Sequence, residues 1–157
     1  MDQKERRQKT LKMLRDYKSS KAAIMTYQID LQMLDTLMIN ANMARAYDQP
    51  SSGPTNQHAS KVEEELIKIE QQRAWITGQL ARLQNQIDKV DLALGNIEPP
   101  YKTLLKLKYI EGRRWAEIYP RLNYSEEYIR TKINERALDM IADYLFPKAC
   151  LMDTSGA

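Results

Sequence analysis

The sequence WAEIYPRLNYSEEYIRTKINERAL occupies residues 115–138 and has the pattern of two short helices joined by a tight corner. Four of its apolar residues are spaced so that both helices can bury one side in a shared small core. They are Ile118, Leu122, Ile129 and Ile133. Asn123-Tyr124-Ser125 would form the corner, with the serine as N-cap of the second helix. The pattern predicts a helix-turn-helix whose second helix could lie in the DNA major groove.

The outer face of the second predicted helix carries side chains that can contact base edges. If the two isoleucines of this helix face the core, six residues remain on the other side. They are Ser125, Glu126, Glu127, Arg130, Thr131 and Asn134. An arginine can pair bidentately with guanine and an asparagine with adenine, each such pair giving roughly 1–3 kcal/mol of discrimination, and a threonine methyl can contact thymine. A glutamate can accept from the cytosine amino group, but both glutamates can equally serve the positive end of the helix dipole.

Basic side chains around this face are candidates for phosphate contacts, which position a protein on DNA without carrying sequence information. The set comprises Lys106, Lys108, Arg113, Arg114, Arg121, Lys132 and Arg136. Contacts from roughly six to eight cations would make binding strongly salt-dependent. The competing interpretation is a small helical bundle that only packs against a protein partner.

The composition favours helices and carries no pattern of an enzyme site. The 157 residues include 5 Gly and a single Phe, and no period-2 strand pattern with hairpin turns is present, so we expect an all-α protein. Cys150 is the sole cysteine and His58 the sole histidine, so we expect no metal site and no cofactor. Glycine-rich phosphate loops and Ser/His/Asp or Cys/His sets are also absent, so we do not expect an enzyme.

Charge and hydropathy lead us to expect a cytoplasmic protein without a membrane span. No run of about 18 apolar residues occurs, and the charged start MDQKERRQKT has no apolar segment behind it. The formal net charge of +3 is unevenly distributed. The first 21 residues carry eight Lys/Arg against three Asp/Glu, whereas residues 60–97 carry five against six. This charge neither requires nor excludes a nucleic-acid partner.

The N-terminal 47 residues have the apolar spacing of a long helix. An a/d seam is formed by Tyr17, Ile24, Tyr27, Leu31, Leu34, Met38 and Ala41. The segment from Gln3 to Lys12 has little to bury, so we expect it to fray. Residues 48–59 contain two prolines, a glycine and mainly small or polar side chains, which predicts a flexible linker.

A second long helix is predicted over residues 60–97. Ser60 and Glu63 have the spacing of a capping box. Apolar residues then alternate by four and three over five heptads, interrupted only by Arg73, and this period implies a left-handed supercoil with at least one partner helix. We assign to this coiled-coil and oligomerisation seam Val62, Leu66, Ile69, Ile76, Leu80, Leu83, Ile87, Val90 and Leu94.

Two partners are open for this seam: the N-terminal helix of the same chain, folded back antiparallel, or the same helix of a second chain. The sequence favours the hairpin, because the linker is long enough and the N-terminal helix has its own seam. Dimerisation would then use what remains exposed. Arg73 would pair with a carboxylate such as Asp30 or Asp35, or extend its charged end to solvent.

Gly95-Asn96 and Pro99-Pro100 end the second helix and predict a domain boundary. A short helix should follow over residues 100–111, with Gly112 as its C-terminal stop. The fold we expect is all-α, a long antiparallel helical hairpin or coiled coil followed by a small C-terminal helix-turn-helix domain. Its parts are an N-terminal helix (1–47), a linker (48–59), a coiled-coil helix (60–97), the helix-turn-helix domain (98–147) and a flexible tail (148–157).

Two known families resemble this sequence. KLKYIEGRRWAEIYPRLNYSEEYIR (106–130), with RAL at 136–138, resembles the promoter-binding region 4 of bacterial sigma factors. MLRDYKSSKAAI (13–24) and SKVEEELIKIE (60–70), on either side of a Ser-Gly linker, resemble RinA/ArpU-type phage late transcription regulators. Tyr119, Pro120 and one additional residue between Ile129 and Ala137 depart from the sigma-factor pattern.

The resemblance implies a phage or prophage regulator that binds promoter DNA as an oligomer and activates late packaging and lysis genes by assisting the host RNA polymerase. By position it assigns Ser125, Glu126, Glu127, Arg130 and Thr131 to the base-contacting turns. The expected partners are double-stranded DNA, RNA polymerase and further copies of the chain, with a dimer favoured. The alternative is a structural or interaction protein, such as an oligomeric, terminase-like small packaging component that binds DNA.

Overall fold

The computed structural model describes residues 1–47 and 57–148, and all regular secondary structure in these residues is helical. The prediction of an all-α protein is therefore confirmed for this part of the chain. The elements are α1 (Gln3–Tyr47), α2 (Gln57–Gly95), α3 (Tyr101–Leu105) with a π-helical turn (Lys106–Ile110), α4 (Trp115–Ile118) with a 3-10 turn (Tyr119–Arg121), α5 (Glu126–Tyr128) with a second π-helical turn (Ile129–Ile133), and α6 (Asn134–Leu145). No helix in the described ranges is long and apolar enough to cross a membrane.

Several helix ends lie where local sequence signals predicted them. Gly112 follows the first π-helical turn with φ 69, a conformation that glycine adopts without strain. α2 ends at Gly95, where Gly95-Asn96 predicted its end. By contrast, α2 begins at Gln57, so the predicted cap Ser60 lies inside the helix. Most of the predicted linker (48–56) and of the predicted tail (149–157) lies outside the described residues.

The chain divides by its contacts into two compact units. Unit 1 comprises Met1–Lys21 and Asn85–Ala157, and unit 2 comprises Ala22–Gln84. The sequence predicted a boundary near residue 98. The contacts instead group the last turns of α2 and the first turns of α1 with the C-terminal helices.

In unit 2, α1 and α2 pack antiparallel against each other. Arg45 forms an ion pair with Glu63 at 3.3 Å, and Arg73 forms one with Asp35, with Nε and Oδ1 3.2 Å apart. The buried seam residues of this unit are Ile24, Leu34, Leu66, Ile76 and Leu83. The predicted hairpin is confirmed here, and Asp35 is the carboxylate that pairs with Arg73.

The nine seam residues that the sequence assigned to the coiled coil and to oligomerisation are all buried or half-buried within the single chain. Their apolar surface is therefore already used in packing within each unit. Association of two chains would need a different surface.

In unit 1, the first turns of α1 pack against α6, so the prediction that they fray is wrong. Thr10 and Leu14 are fully buried. Arg6 Nη2 donates to the carbonyl oxygen of Phe146 at 2.9 Å, at the C-terminal end of α6. Arg7 and Asp139 form an ion pair in which Nη2 and Oδ1 are 2.9 Å apart. These contacts join residues more than a hundred positions apart, which no local pattern predicts.

Candidate nucleic-acid interface

The candidate site is the last helical run, residues 126–145, together with the shorter helix that precedes it. The four predicted core residues of this region are all buried: Ile118, Leu122, Ile129 and Ile133. They join a larger core of unit 1 that includes Leu14 of α1, Val90 of α2 and Leu104 of α3. The two helices are thereby held by apolar packing on one side, and the opposite side of residues 126–131 is exposed.

Pro120 affects only the end of the first helix of this pair. Helix α4 is followed by a tighter 3-10 turn over Tyr119–Arg121, and Pro120 lies at the start of this 3-10 turn. Proline is tolerated in the first turn of a helix, where its missing N–H would have no partner. At the other end, Glu117 Oε2 accepts from the Arg114 N–H at 3.1 Å. Trp115 stacks on Tyr119 with ring centroids 6.0 Å apart.

Ser125 is the N-cap of the last helical run, as the sequence predicted. Its backbone is extended (φ −64, ψ 149), and its Oγ accepts from the Tyr128 N–H at 3.3 Å. Glu126 and Glu127 follow in the first turn, where negative charge interacts favourably with the helix dipole. All three residues are exposed, but these contacts give each of them a role in starting the helix.

Arg130 and Thr131 lie on the exposed side, within the second π-helical turn. Thr131 Oγ1 donates to the carbonyl oxygen of Glu127 at 2.6 Å, so its proton is used inside the helix. Its methyl group and its remaining acceptor capacity are what it could offer a base. Arg130 forms no ion pair in the described part of the chain.

Asn134 differs from the predicted arrangement, because it is half-buried and points into a side-chain hydrogen bond. The Tyr109 hydroxyl donates to its Oδ1 at 2.6 Å. This bond uses one of the two acceptor sites of Oδ1, and the half-burial of the side chain limits how far the amide group could extend to an adenine. Burial raises the pKa of Tyr109, while the bond to Asn134 and the charge of Arg15 oppose this shift.

The predicted phosphate-contacting residues have different local surroundings. Lys106 and Arg114 are exposed, while Lys108 Nζ lies 4.6 Å from the centre of the Trp115 ring. Lys132 and Arg136 line a shallow pocket together with Tyr128.

A second group of cations surrounds Glu111 and includes a residue of α1 that the sequence analysis did not select. Arg113 Nε donates to Glu111 Oε2 at 2.7 Å. This hydrogen bond lowers the pKa of Glu111, and the nearby charges of Arg121 and Lys18 add to the effect. Lys18 is exposed. The excess of basic residues in the first 21 positions was the available signal, but nothing in the sequence placed them beside Glu111.

Two tyrosines at the corner were also not selected from the sequence. Tyr124 and Tyr128 are about half exposed, and their ring centroids are 5.6 Å apart. Tyrosine hydroxyls are among the groups that contact DNA phosphates. No cluster of three or more His, Cys, Asp or Glu side chains that could hold a metal occurs among residues 1–47 and 57–148.

Comparison with known proteins gives one family. The family model described as "Protein of unknown function (DUF722)" matches residues 6–141. No curated protein and no solved structure matches the chain. The family match runs from the first turns of α1 into α6 and covers most of both units. The chain therefore belongs to the family of proteins of unknown function DUF722.

Proposed function

We propose that this chain is a DNA-binding transcription regulator in which residues 115–145 act as a helix-turn-helix. In this proposal the last helical run enters the major groove and the preceding helix braces it against the DNA backbone. The resemblance to region 4 of sigma factors and to RinA/ArpU-type regulators extends the proposal. It suggests a phage or prophage protein that activates late genes in the bacterial cytoplasm by assisting the host RNA polymerase.

The observation that carries the proposal is a set of exposed cations that form no ion pair in the described residues and surround an exposed, capped helix. In the described part of the chain, Arg121, Arg130 and Lys132 are exposed and form no ion pair. By contrast, Arg6, Arg7, Arg45, Arg73 and Arg113 each pair with a carboxylate. Unpaired guanidinium and ammonium groups are suited to replace the counterions that DNA phosphates condense.

The exposed side of residues 126–131 then divides into two roles. Arg130 is the best candidate for base recognition, since its guanidinium matches the two acceptors of guanine in the major groove. Arg121 and Lys132 would contact phosphates and fix the position of the helix. Ser125, Glu126 and Glu127 would support DNA binding mainly by stabilising the start of the helix.

The test is selection of binding sites from a random duplex pool by the full chain at several stated salt concentrations. We expect enrichment of one motif, with affinity that falls steeply as salt rises. Arg130→Ala should weaken binding to the selected motif by roughly 10- to 100-fold and relax preference at one base pair. Arg121→Ala should weaken binding to all duplexes about equally and reduce the salt dependence.

Arg82→Ala is the matched control. Arg82 is exposed on α2 in unit 2, and among residues 1–47 and 57–148 its hydrogen bonds go to Gln79 of its own helix. We expect the Arg82→Ala change to leave the affinity for DNA unaltered. Absence of salt-dependent binding to any duplex would overturn the proposal. Equal losses from Arg121→Ala and Arg130→Ala on selected and random duplexes would overturn the assignment of roles.

A further inference from the structure

Between residues 22 and 44, α1 is apolar on two sides. Its a/d seam packs against α2 in unit 2, where Ile24 and Leu34 are buried. A second row of large apolar side chains lies at heptad positions b, c, f and g, and each of them is about half to two thirds exposed. This row, the outer row, consists of Met25, Ile29, Met33, Leu37, Ile39 and Met43. In an ordinary helical hairpin these positions are polar, because they face solvent. A helix that is apolar on all sides is normally buried on all sides by other protein or by lipid.

The outer row is large enough to form a stable interface. The exposed parts of its six side chains amount to on the order of 600 Å² of mainly apolar surface. A standard protein interface buries about 800 Å² on each partner. An apolar surface of this size is at the upper end of what a typical monomer exposes, and surfaces of that size often mark an interaction site. Two grooves between α1 and α2 extend the surface, one lined by Met33 and Trp75 and the other by Leu37. Gln72 lines both grooves, so they lie next to each other along α2.

The threonine hydroxyls near the outer row carry little cost of burial. Thr26 Oγ1 donates to the carbonyl oxygen of Ala22 at 3.2 Å, and Thr36 Oγ1 donates to that of Gln32 at 3.0 Å. Both hydroxyl protons are thus satisfied within the helix, which removes most of the penalty for excluding water from them. Asp30 and Asp35 are the sole charged residues from 22 to 44. Asp35 is paired with Arg73, and Asp30 lies at the edge of the groove beside Met33 and Trp75 and not in the outer row itself.

The charge pattern identifies the occupant. A helix that lies on a membrane carries Lys and Arg on its polar face, and residues 22–44 contain neither. A nucleic acid would require cations as well. The outer row carries no charge, so it does not require a partner of opposite charge. It is complementary to the same row of a second copy, as an isologous contact about a two-fold axis requires. The facing helix α2 carries eight charged residues from 61 to 84, so α1 is the helix that would meet its copy.

We propose that two copies of this chain associate through the outer row of α1, so that the two hairpins of unit 2 form a four-helix bundle. The α1 helix of each copy lies against the α1 helix of the other, and the groove beside Met33 and Trp75 is covered in the same step. This association does not depend on DNA binding, because every residue in it belongs to unit 2.

The test is the mass of the full chain in solution, measured by sedimentation equilibrium over about 1 to 100 µM protein. We expect a dimer of twice 18.3 kDa. The double variant Ile29→Glu/Met33→Glu should raise the dimer dissociation constant by roughly 100-fold or more, since it places four carboxylates in one apolar interface. Both residues are more than 60% exposed in the single chain, so the far-UV circular dichroism of the variant should remain helical.

Ile67→Glu is the matched control. Ile67 is also more than half exposed in unit 2, but it lines neither groove and lies on α2, so its change should leave the dimer intact. As a second measurement, Trp75 is 58% exposed in the single chain. In a Trp115→Phe background its fluorescence should shift to shorter wavelength as the protein concentration rises, and this shift should be absent from the double variant.

Three outcomes would overturn the inference. The first is a wild-type chain that stays monomeric over the whole concentration range, whether or not it binds phosphatidylglycerol vesicles. The second is a dimer that survives the double variant. The third is a ring of eight or more subunits, which would favour the packaging alternative. None of these outcomes affects the DNA-selection test, so the two proposals fail separately.

Discussion

Arg6 offers a quantitative test of how the start of α1 stabilises the C-terminal helices. Its side chain is 12% exposed, and its Nη2 lies 2.7 Å from Asp143 Oδ1, 2.9 Å from the Phe146 carbonyl oxygen and 3.3 Å from that of Ala142. The last carbonyls of a helix have no partner within it, and a cation there also interacts favourably with the helix dipole. We expect Arg6→Met to lower the free energy of unfolding of unit 1 by about 1 kcal/mol.

The magnitude follows from the separate contacts. A hydrogen bond with a charged partner contributes roughly 1.5–3 kcal/mol, and the longer bond to Ala142 adds little to the one to Phe146. The ion pair contributes less than about 1 kcal/mol, because the Asp143 side chain is 67% exposed. Against these gains, Arg6 Nε is buried without a hydrogen-bond partner in the described part of the chain, which costs about 1–2 kcal/mol. Methionine keeps the apolar stem and removes the rest.

The assay is urea unfolding of the full chain followed by far-UV circular dichroism. Asp143→Asn is the control for the ion pair and should cost less than about 0.5 kcal/mol, and the difference between the two variants should persist in about 1 M salt. If Asp143→Asn costs as much as Arg6→Met, the carboxylate and not the helix terminus is the important partner. A loss below about 0.5 kcal/mol for Arg6→Met would refute the reasoning, because it would mean that the first turns of α1 fray.

Three further predictions use the same unfolding assay. Ser125→Ala should cost about 1 kcal/mol through loss of the N-cap and Ser125→Asp should not, so equal losses would contradict capping. Tyr109→Phe should cost about 1 kcal/mol, because Asn134 loses its donor. Burial raises the pKa of Tyr109 above its ordinary value of 10.0, so the stability that this shift contributes is complete below pH 10 and is lost as pH rises through the folded-state pKa. Stability should thus fall more steeply on the alkaline side in the wild type than in Tyr109→Phe, and parallel profiles would contradict this. Arg73→Ala should cost less than about 1 kcal/mol, since both members of its pair with Asp35 are about half exposed, and a larger loss would mean that the pair is more important than its exposure indicates.

Features encoded by neighbouring residues could be predicted from the sequence. The heptad seam of α2 and the serine cap at residue 125 are local patterns, and both are present in the structure. The pairing of Arg73 with a carboxylate across the seam was also predictable, because the seam sets which residues of α1 can reach it. In each case the relevant partner lies within a few residues or is fixed by a regular repeat.

Features that depend on contacts between distant segments could not be predicted. The contact between Arg6 and α6 joins residues 136 positions or more apart, and a segment with few apolar residues gave no sign of it. Lys18 was missed for the same reason, since its neighbour Glu111 lies more than 90 positions later in the chain, just after the first π-helical turn. The basic N-terminus was visible in the sequence, but its position beside the C-terminal helices was not.

The second π-helical turn explains why the predicted base-contacting face is only partly exposed. Buried residues occur at every fourth position of the last helical run: Ile129, Ile133, Ala137, Ile141 and Leu145. In an α-helix, two residues four positions apart differ in direction by about 40° around the helix axis. Over the four steps from Ile129 to Leu145 the first and last side chains would therefore point about 160° apart. A π-helical turn accommodates one more residue and takes back about 100° of that divergence. The row can therefore remain against one core.

The change in side-chain direction at the second π-helical turn also determines which residues could contact a base. Asn134 directly follows the π-helical turn, so it is turned by about 100° from the outer side toward the core, where it accepts from Tyr109. Arg130 and Thr131 lie within the turn and stay exposed. The additional residue that separates this chain from the sigma-factor pattern is thus one that a π-helical turn can absorb without loss of the core. If the last helical run enters a major groove, base recognition should therefore rest on Arg130 and Thr131, and Asn134 should act by holding the helix against Tyr109.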